Sequence, residues 1–273
     1  MTSQSMMSKS AVSKSMKAAM SVQIIPTEAP EMLDLKTGAG LAFSVTKPTE
    51  LEATEYTLVT IVMDISPSVS GFKALLEEAM RSAIKGCQMS GRVDNILIRI
   101  VLFHSLLKEV HGFIPAATID PDNYEPFKCA GLTALHDAIG ESVDATLIYA
   151  KQLRDSDYAV NGCVYIVTDG LDNDSAKYDI ADLVALIKDA EQGEKLSSLL
   201  TVLVGVNSNA FDNGKRIGDV LKELQANVGI TQYVDLGDAS PKNLGKLGGH
   251  ISKSVSSQSQ RVKSGAPSQP VPF

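Results

Sequence analysis

YTLVTIVMDISPS, residues 56–68, is an apolar run that changes abruptly into a polar segment. The near-continuous apolar stretch 56–63 is typical of a β-strand that is covered on both faces, as the strands of parallel sheets are. Asp64, Ser66 and Ser68 follow it at alternate positions. Because ligands of open parallel sheets bind beyond the carboxyl ends of the strands, this segment predicts both a central strand and a binding site at its end.

Strand and helix patterns alternate along the chain after this segment. Helical spacing of apolar residues predicts a helix over about 71–89, and apolar runs predict a strand over 96–103 with a hairpin partner over 106–113. The remaining predicted elements are helices over 134–153, 181–191 and 217–226, strands over 163–168, 199–206 and 232–236, and a last helix that starts at Pro241. This alternation predicts an α/β fold: a doubly wound, Rossmann-like, mainly parallel sheet with helices on both faces and one antiparallel edge strand.

Composition divides the chain into three parts. Residues 1–50 form an N-terminal extension that we expect to be partly disordered, although its apolar runs 22–25 and 41–45 could add a hairpin to the edge of the main domain. Residues 51–253 carry the strand–helix alternation. Residues 254–273 are rich in Ser, Gln and Pro, and we expect them to form a disordered C-terminal tail.

The bulk composition argues against several classes of protein. A formal net charge of −7 disfavours a nucleic-acid binder that relies on bulk positive charge. No apolar run approaches the roughly 18 residues that a membrane-spanning helix needs, so we expect no membrane association. Cys87, Cys129 and Cys163 stand far apart and are expected to be reduced thiols, and the first twenty residues lack the apolar core of a secretory signal. These features together favour a cytoplasmic protein.

Three polar segments could supply oxygen ligands to one metal ion. Asp64, Ser66 and Ser68 would point to the same side of an extended chain, Thr133 opens a predicted helix, and Asp169 follows a predicted strand. Carboxylates and hydroxyls suit a hard cation such as Mg²⁺ or Mn²⁺ and do not suit zinc or copper. Taken singly, the residues have simpler explanations, because Ser and Thr are favoured helix N-caps and Asp-Gly is a turn signal.

The motif LDNDS, residues 171–175, adds negative charge close to Asp169. Its composition favours a solvated acidic loop with turn residues. Alternatively, Asp172 and Asp174 could tune the affinity of a cation from outside its ligand shell.

The order of these motifs resembles that of the von Willebrand factor A domain. The pattern is Asp-x-Ser-x-Ser after an apolar first strand, then Gly-x-Thr, then Thr-Asp-Gly after a later strand, and the resemblance covers about residues 52–253. It implies a metal-ion-dependent adhesion site with five ligands, which are Asp64, Ser66, Ser68, Thr133 and Asp169. It also implies a protein-binding function, in which a Glu or Asp of a partner protein completes the coordination of the cation. Many members carry Gly and Met where this chain has Pro67 and Val69, but neither difference removes a ligand.

An enzymatic alternative uses the same first loop. A metal-dependent phosphotransfer enzyme could employ Asp64 as a nucleophile. Haloacid-dehalogenase-type phosphatases require a second carboxylate, which acts as acid and base, two residues after the nucleophile. In this chain Ser66 occupies that position. The chain also lacks a Walker-type glycine loop and a GxSxG motif. We therefore expect no enzymatic activity.

Two further functional alternatives stay open. The domain could be a structural protein whose metal meets no regulated partner. The stretches GLTALHDAIG, residues 131–140, and TDGLDN, residues 168–173, look like those of stand-alone intracellular members from bacteria and their viruses, including tellurium-resistance-associated ones. Such members often work beside an AAA+ ATPase, so the resemblance also allows an accessory role of that kind. The oligomeric state is left open.

Overall fold

The computed structural model describes residues 30–192 and 196–273 of the chain. Within these ranges an eight-stranded sheet is covered by helices on both faces. The strands of this sheet are β1 (Met32–Lys36), β2 (Ala42–Thr46), β3 (Glu55–Asp64), β4 (Ile96–Phe103), β5 (Leu107–Pro115), β6 (Ala159–Thr168), β7 (Ser198–Gly205) and β10 (Gln232–Asp235). A separate short ribbon consists of β8 (Phe211–Asp212) and β9 (Lys215–Arg216). The helices are α1 (Lys73–Gln88), α2 (Leu135–Arg154), α3 (Ile180–Gln192), α4 (Ile217–Val228) and α5 (Pro241–Ser264).

The strand order places a topological switch point at the centre of the sheet. The order is β1-β2-β5-β4-β3-β6-β7-β10, and β3 pairs in parallel with both β4 and β6. From β3 the chain moves to β4 on one side, and it later returns to β6 on the other side. In open α/β sheets this reversal is where ligands bind, beyond the carboxyl ends of the two strands. The predicted doubly wound, mainly parallel fold is confirmed.

Alternate side chains of β3 are buried on opposite faces of the sheet. Leu58 and Val62 join a core that also contains the apolar residues of α2, α3 and α4. Val59, Ile61 and Met63 join a second core beneath α1 and α5. Burial on both faces explains why the strand is apolar at nearly every position rather than at every second one.

The predicted antiparallel strand is present but does not form the edge of the sheet. β5 pairs with β4 in the antiparallel direction, and β2 then pairs in parallel with β5 through Val45 and Phe113. Gly112 permits this approach, because a Cβ at that position would lie 1.7 Å from the Ser44 carbonyl oxygen. The edge strand on this side of the sheet is therefore β1, which forms a hairpin with β2, and β10 is the edge strand on the other side.

The hairpin allowed by the sequence of the N-terminal extension exists with a different partner. The apolar run 41–45 contributes to β2. Its partner is β1, in which apolar and polar residues alternate, so that the segment carries no continuous apolar run. The other apolar run, residues 22–25, and the rest of residues 1–29 lie outside the described residues.

The C-terminal segment differs from the tail expected over residues 254–273. α5 continues to Ser264, ends at Gly265 in the left-handed conformation, and buries Ser254, Val255 and Gln258. The following segment folds back, where the Ser268 N–H donates to the Ser198 hydroxyl at 3.0 Å. Residues that composition assigns to a tail thus form the last part of α5, and the small polar residues Ser254 and Ser259 are buried there.

Two further observations concern the environment of the chain. Cys87 and Cys163 are buried and Cys129 is half-buried, and all three are free thiols, as the sequence predicts. In the part of the chain that the structure describes, no helix has both the length and the apolar character needed to cross a membrane.

Candidate metal centre

Asp64 is the last residue of β3, and its side chain is fixed by two hydrogen bonds. The Ser66 N–H donates to Asp64 Oδ1 at 2.7 Å, and the Thr168 hydroxyl donates to Oδ2 at 2.7 Å. Since Thr168 ends β6, this contact ties together the two strands that flank the switch point. Only 1% of Asp64 is exposed, so the carboxylate is buried in a defined orientation.

A chain of hydroxyl contacts runs from the first loop to Asp169. The Ser66 and Ser68 hydroxyls lie 2.9 Å apart, and the Ser68 hydroxyl donates to Asp169 Oδ1 at 2.7 Å. Ser66 and Asp169 are buried, whereas Ser68 is exposed and marks the side that faces solvent. Ser66 occupies the N-cap position of the turn Pro67–Gly71, but its side chain makes no capping bond. Its hydroxyl is therefore directed to the neighbouring serine rather than to the turn.

Thr133 completes the group from the second loop. Gly131, with φ of +71°, turns the chain into this loop, and Thr133 is buried just before α2. A Cβ at Gly170 would lie 3.6 Å from the Thr133 hydroxyl oxygen, which places this hydroxyl against the loop that carries Asp169. Ala134, not Thr133, is the N-cap residue of α2. The structure thus brings the five residues predicted from the sequence together at the switch point, and their role as metal ligands stays a prediction.

The third loop is attached to the second by contacts that the sequence analysis missed. The Thr133 N–H donates to Asn173 Oδ1 at 2.7 Å, and the Asn173 N–H donates to the Thr133 carbonyl at 2.9 Å. Asp172 Oδ1 accepts the His136 N–H at 3.1 Å, in the first turn of α2. The motif LDNDS is therefore more than a solvated acidic loop. Its position directly after Thr-Asp-Gly was the available signal.

Asp137 holds the far part of the same loop. Its carboxylate accepts the backbone N–H groups of Ala176, Lys177 and Tyr178 at 2.9–3.1 Å. The Ser175 hydroxyl in turn accepts the Asp137 N–H at 3.0 Å. Because these bonds join α2 to residues 175–178, the loop after Asp169 is fixed at both of its ends.

Both carboxylates of the centre carry an electrostatic cost. Burial raises the pKa of Asp64 above its usual value, and the hydrogen bonds from Thr168 and Ser66 oppose this. Burial also raises the pKa of Asp169 to about 6; the Ser68 hydroxyl opposes the shift and the charge of Asp64 adds to it. No Lys or Arg side chain of the described residues pairs with either group. A bound cation would supply the missing positive charge.

The donor set fits a hard divalent cation. It consists of two carboxylates and three hydroxyls, all of them oxygen donors, as Mg²⁺ and Mn²⁺ prefer. The described ranges contain no cluster of three or more His, Cys, Asp or Glu residues placed to hold a metal. The hydroxyl-rich centre falls outside that description, because only two of its five oxygen donors are carboxylates.

Comparisons with known proteins bear on the fold. No family model matches the sequence, and no curated protein matches it. The PilB minor pilin from Streptococcus sanguinis matches with a TM-score of 0.52 and 14% identity over 80% of this chain and 65% of that one. The pilus adhesin SpaC from Lactobacillus rhamnosus GG matches with a TM-score of 0.54 and 9% identity, over 85% of this chain and 34% of that one. Proximal thread matrix protein 1 from the mussel byssus matches with a TM-score of 0.47 and 17% identity, over 77% of this chain and 47% of that one.

The two matches with TM-scores above 0.5 establish the architecture and nothing finer. At such identities a structural match reports the mixed α/β, Rossmann-like fold. The aligned part spans at most about two thirds of each of these three proteins. Function has to be argued from the site itself.

Proposed function

We propose that this protein is a metal-dependent protein-binding module of the von Willebrand factor A type. In this proposal Asp64, Ser66, Ser68, Thr133 and Asp169 hold one Mg²⁺ or Mn²⁺. The observation that carries it is a pair of buried carboxylates without a Lys or Arg partner among the described residues, joined by hydroxyls at the switch point of the sheet. When bound, the cation would offer a coordination position to a Glu or Asp carboxylate of another protein.

The protein's own residues prepare the centre for this task. Thr168 and the Ser66 N–H orient Asp64 before any ion arrives. Three of the five donors are neutral hydroxyls, so the set supplies at most two negative charges and leaves an acidic ligand electrostatically attractive. The exposed Ser68 lies on the solvent side. We therefore expect the partner carboxylate to approach over Ser68.

The geometry of Asp64 favours binding over catalysis. A nucleophilic aspartate must contact the phosphorus atom of its substrate, whereas only 1% of Asp64 is exposed, so that a small ion reaches its carboxylate more readily than a phosphate ester does. The neighbouring Ser66 cannot act as the acid that aspartate-based phosphotransfer requires. We accordingly propose that the protein is not an enzyme. The three free cysteines support a further proposal, that it works in the reducing cytoplasm.

Calorimetric titration with Mg²⁺ and Mn²⁺ tests the centre directly. We expect one ion per chain, and Ser68→Ala should weaken its binding by about tenfold or more, equivalent to about 1.4 kcal/mol. Ser70→Ala is the matched control, because Ser70 is also exposed in the same turn but is not one of the five residues. Absence of any metal uptake by the unaltered protein would refute the proposal.

Partner capture tests the second half. A pull-down should yield a bound protein that EDTA releases and that Thr133→Ala fails to retain. Phosphatase turnover that vanishes in Asp64→Ala would instead establish the enzymatic alternative.

A further inference from the structure

Two grooves flank the proposed metal centre, one on each side. The first, which we call the β4–β5 groove, has a volume of about 600 Å³ and lies between β4, β5 and residues 123–130. Its apolar floor consists of Ile65, Met80, Leu102 and Phe127. The second, the α2–α4 groove, has a volume of about 360 Å³ and is lined by residues of α2, α3, α4 and the loop after β6.

The β4–β5 groove is continuous with the metal centre. Ile65 lies between Asp64 and Ser66, and its carbonyl accepts the N–H of Ala130, another residue of the groove, at 3.0 Å. His104, also in the groove, packs so closely on the second loop that a Cβ at Gly131 would lie 2.6 Å from its Nδ1. A ligand bound over Ser68 therefore meets this groove within a few residues of its chain.

The charges of the two grooves differ. Lys108 and Lys128 line the β4–β5 groove, both are exposed, and neither pairs with a carboxylate of the described residues. Of the two acidic residues there, Glu109 is already engaged by Arg99 at 2.7 Å, which leaves Glu125. The α2–α4 groove instead carries Asp172 and Glu223 with His136 as its one basic residue. An acidic ligand is thus better matched by the β4–β5 groove.

We propose that the β4–β5 groove binds the part of the partner that follows or precedes the metal-binding carboxylate. The partner segment then has a defined chemistry: an Asp or Glu for the cation, a large apolar side chain within about two residues for the floor of the groove, and a second acidic residue for Lys108 or Lys128. A volume of about 600 Å³ lies within the usual range of about 300–1,000 Å³ for ligand pockets and accommodates such a side chain. This inference rests on the proposed function and specifies its partner.

The test uses a fluorescein-labelled peptide, Gly-Asp-Gly-Leu-Gly-Glu-Gly, whose binding is followed by fluorescence anisotropy in the presence of Mn²⁺. Three altered peptides replace the Asp by Asn, the Leu by Ser, or the Glu by Gln. Because the Leu side chain is the group that enters the groove, its replacement by Ser should weaken binding by roughly tenfold to a hundredfold. Replacement of the Asp should abolish metal-dependent binding.

Two matched substitutions locate the binding surface on the protein. Val110→Trp narrows the β4–β5 groove and Val220→Trp narrows the α2–α4 groove. Both valines line a groove, and neither is one of the five residues of the centre. We expect Val110→Trp to lower the affinity for the original peptide (the Leu peptide) to the affinity for the peptide in which Ser replaces Leu (the Ser peptide). Val220→Trp should change the affinity for neither peptide. Hydrogen exchange should show protection of residues 123–130 by the Leu peptide only.

The lysines are tested separately. The double variant Lys108→Ala/Lys128→Ala should erase the difference between the Glu and Gln peptides, whereas Lys263→Ala, an exposed lysine in the last turn of α5, should preserve it. Calorimetry of Mn²⁺ uptake accompanies every variant. Three outcomes, each with unaltered metal uptake, would overturn the groove proposal alone. They are equal affinities for all four peptides, no binding of any peptide, and weaker binding in Val220→Trp but not in Val110→Trp. Failure of metal uptake would overturn the proposed function together with it.

Discussion

The hairpin side of the sheet and the switch point both bury carboxylates, but they neutralise them differently. Beneath the hairpin, the wholly buried Arg99 donates from Nε to Glu109 Oε2 at 2.7 Å. The Ser44 N–H and hydroxyl donate to Glu109 Oε1 at 2.9 and 2.8 Å, and the guanidinium lies 5.4 Å from the centre of the Phe43 ring. At the switch point, hydroxyls and backbone N–H groups are the donors to Asp64 and Asp169.

The difference separates a structural role from a binding role. A buried charge is costly unless an opposite charge accompanies it. Arg99 forms an ion pair with Glu109, and Lys177 forms one with Glu141, in which Nζ lies 2.8 Å from Oε1. Both acidic residues on the hairpin side are therefore neutralised by basic residues of the protein itself. The acids at the switch point have no such partner among the described residues. In the proposed function, a bound cation neutralises these two carboxylates.

The largest effect should follow from breaking the internal pair. Arg99→Met leaves Glu109 without its cation and should lower the free energy of unfolding by about 3–5 kcal/mol, measured by urea denaturation. The double variant Arg99→Met/Glu109→Met is the control and should recover most of the loss, because it removes the stranded charge as well. A loss below about 1 kcal/mol in the single variant would mean that the pair contributes little and that the contrast is false.

A smaller effect should follow from adding a metal ion, which we expect to stabilise the protein through the carboxylates at the switch point. With Mn²⁺ at about one hundred times its dissociation constant, the unaltered protein should gain about 2.7 kcal/mol in its free energy of unfolding. Asp169→Asn should gain nothing under the same conditions, since it removes one of the two charged ligands. Arg99→Met, measured alongside, should keep the full gain. An equal gain in Asp169→Asn would show that the ion binds elsewhere.

The smallest effect concerns the second internal pair. Lys177 is half-exposed, so solvent weakens its attraction to the wholly buried Glu141, and Glu141 also keeps the hydrogen bond from the Thr37 hydroxyl. Lys177→Met should therefore cost about 1–2 kcal/mol by the same denaturation assay. Lys151→Met provides the comparison, because Lys151 and Asp155 form a pair on the surface of α2, and we expect a change of about 0.3 kcal/mol. Identical costs for the two variants would indicate that burial of the acid does not matter here.

The sequence predicted which five residues meet at the switch point, because each of them stands beside a local signal. Asp64 and Asp169 come directly after apolar runs, and Thr133 precedes a helix with clear periodicity. Alternation of strands and helices then fixes which ends meet at one edge of the sheet. The helix and strand bounds from β3 to β10 accordingly differ from the predictions by only a few residues, apart from the short ribbon of β8 and β9, which the sequence did not predict.

The features that sequence patterns missed depend on contacts between distant segments. Arg99 sits inside an apolar strand, and nothing local says that Glu109 and the hairpin will enclose it. The parallel addition of β2 to β5 depends on the absence of a side chain at Gly112. The extension of α5 to Ser264 accompanies the burial of Val255, Gln258 and Val262, whereas the composition of this segment resembles that of a tail.

The paired hydrogen bonds between Thr133 and Asn173 have a mechanical consequence. Each residue donates its N–H to the other, so any displacement of the second loop relative to the third at this point must break both hydrogen bonds. Fixing a backbone residue costs roughly 1–2 kcal/mol in configurational entropy, and for these loops that loss already occurs when the chain folds. An arriving ion thus meets a rigid frame. The same coupling restricts loop length: an inserted residue in either loop would separate Thr133 from Asp169, even at a position that touches no ligand.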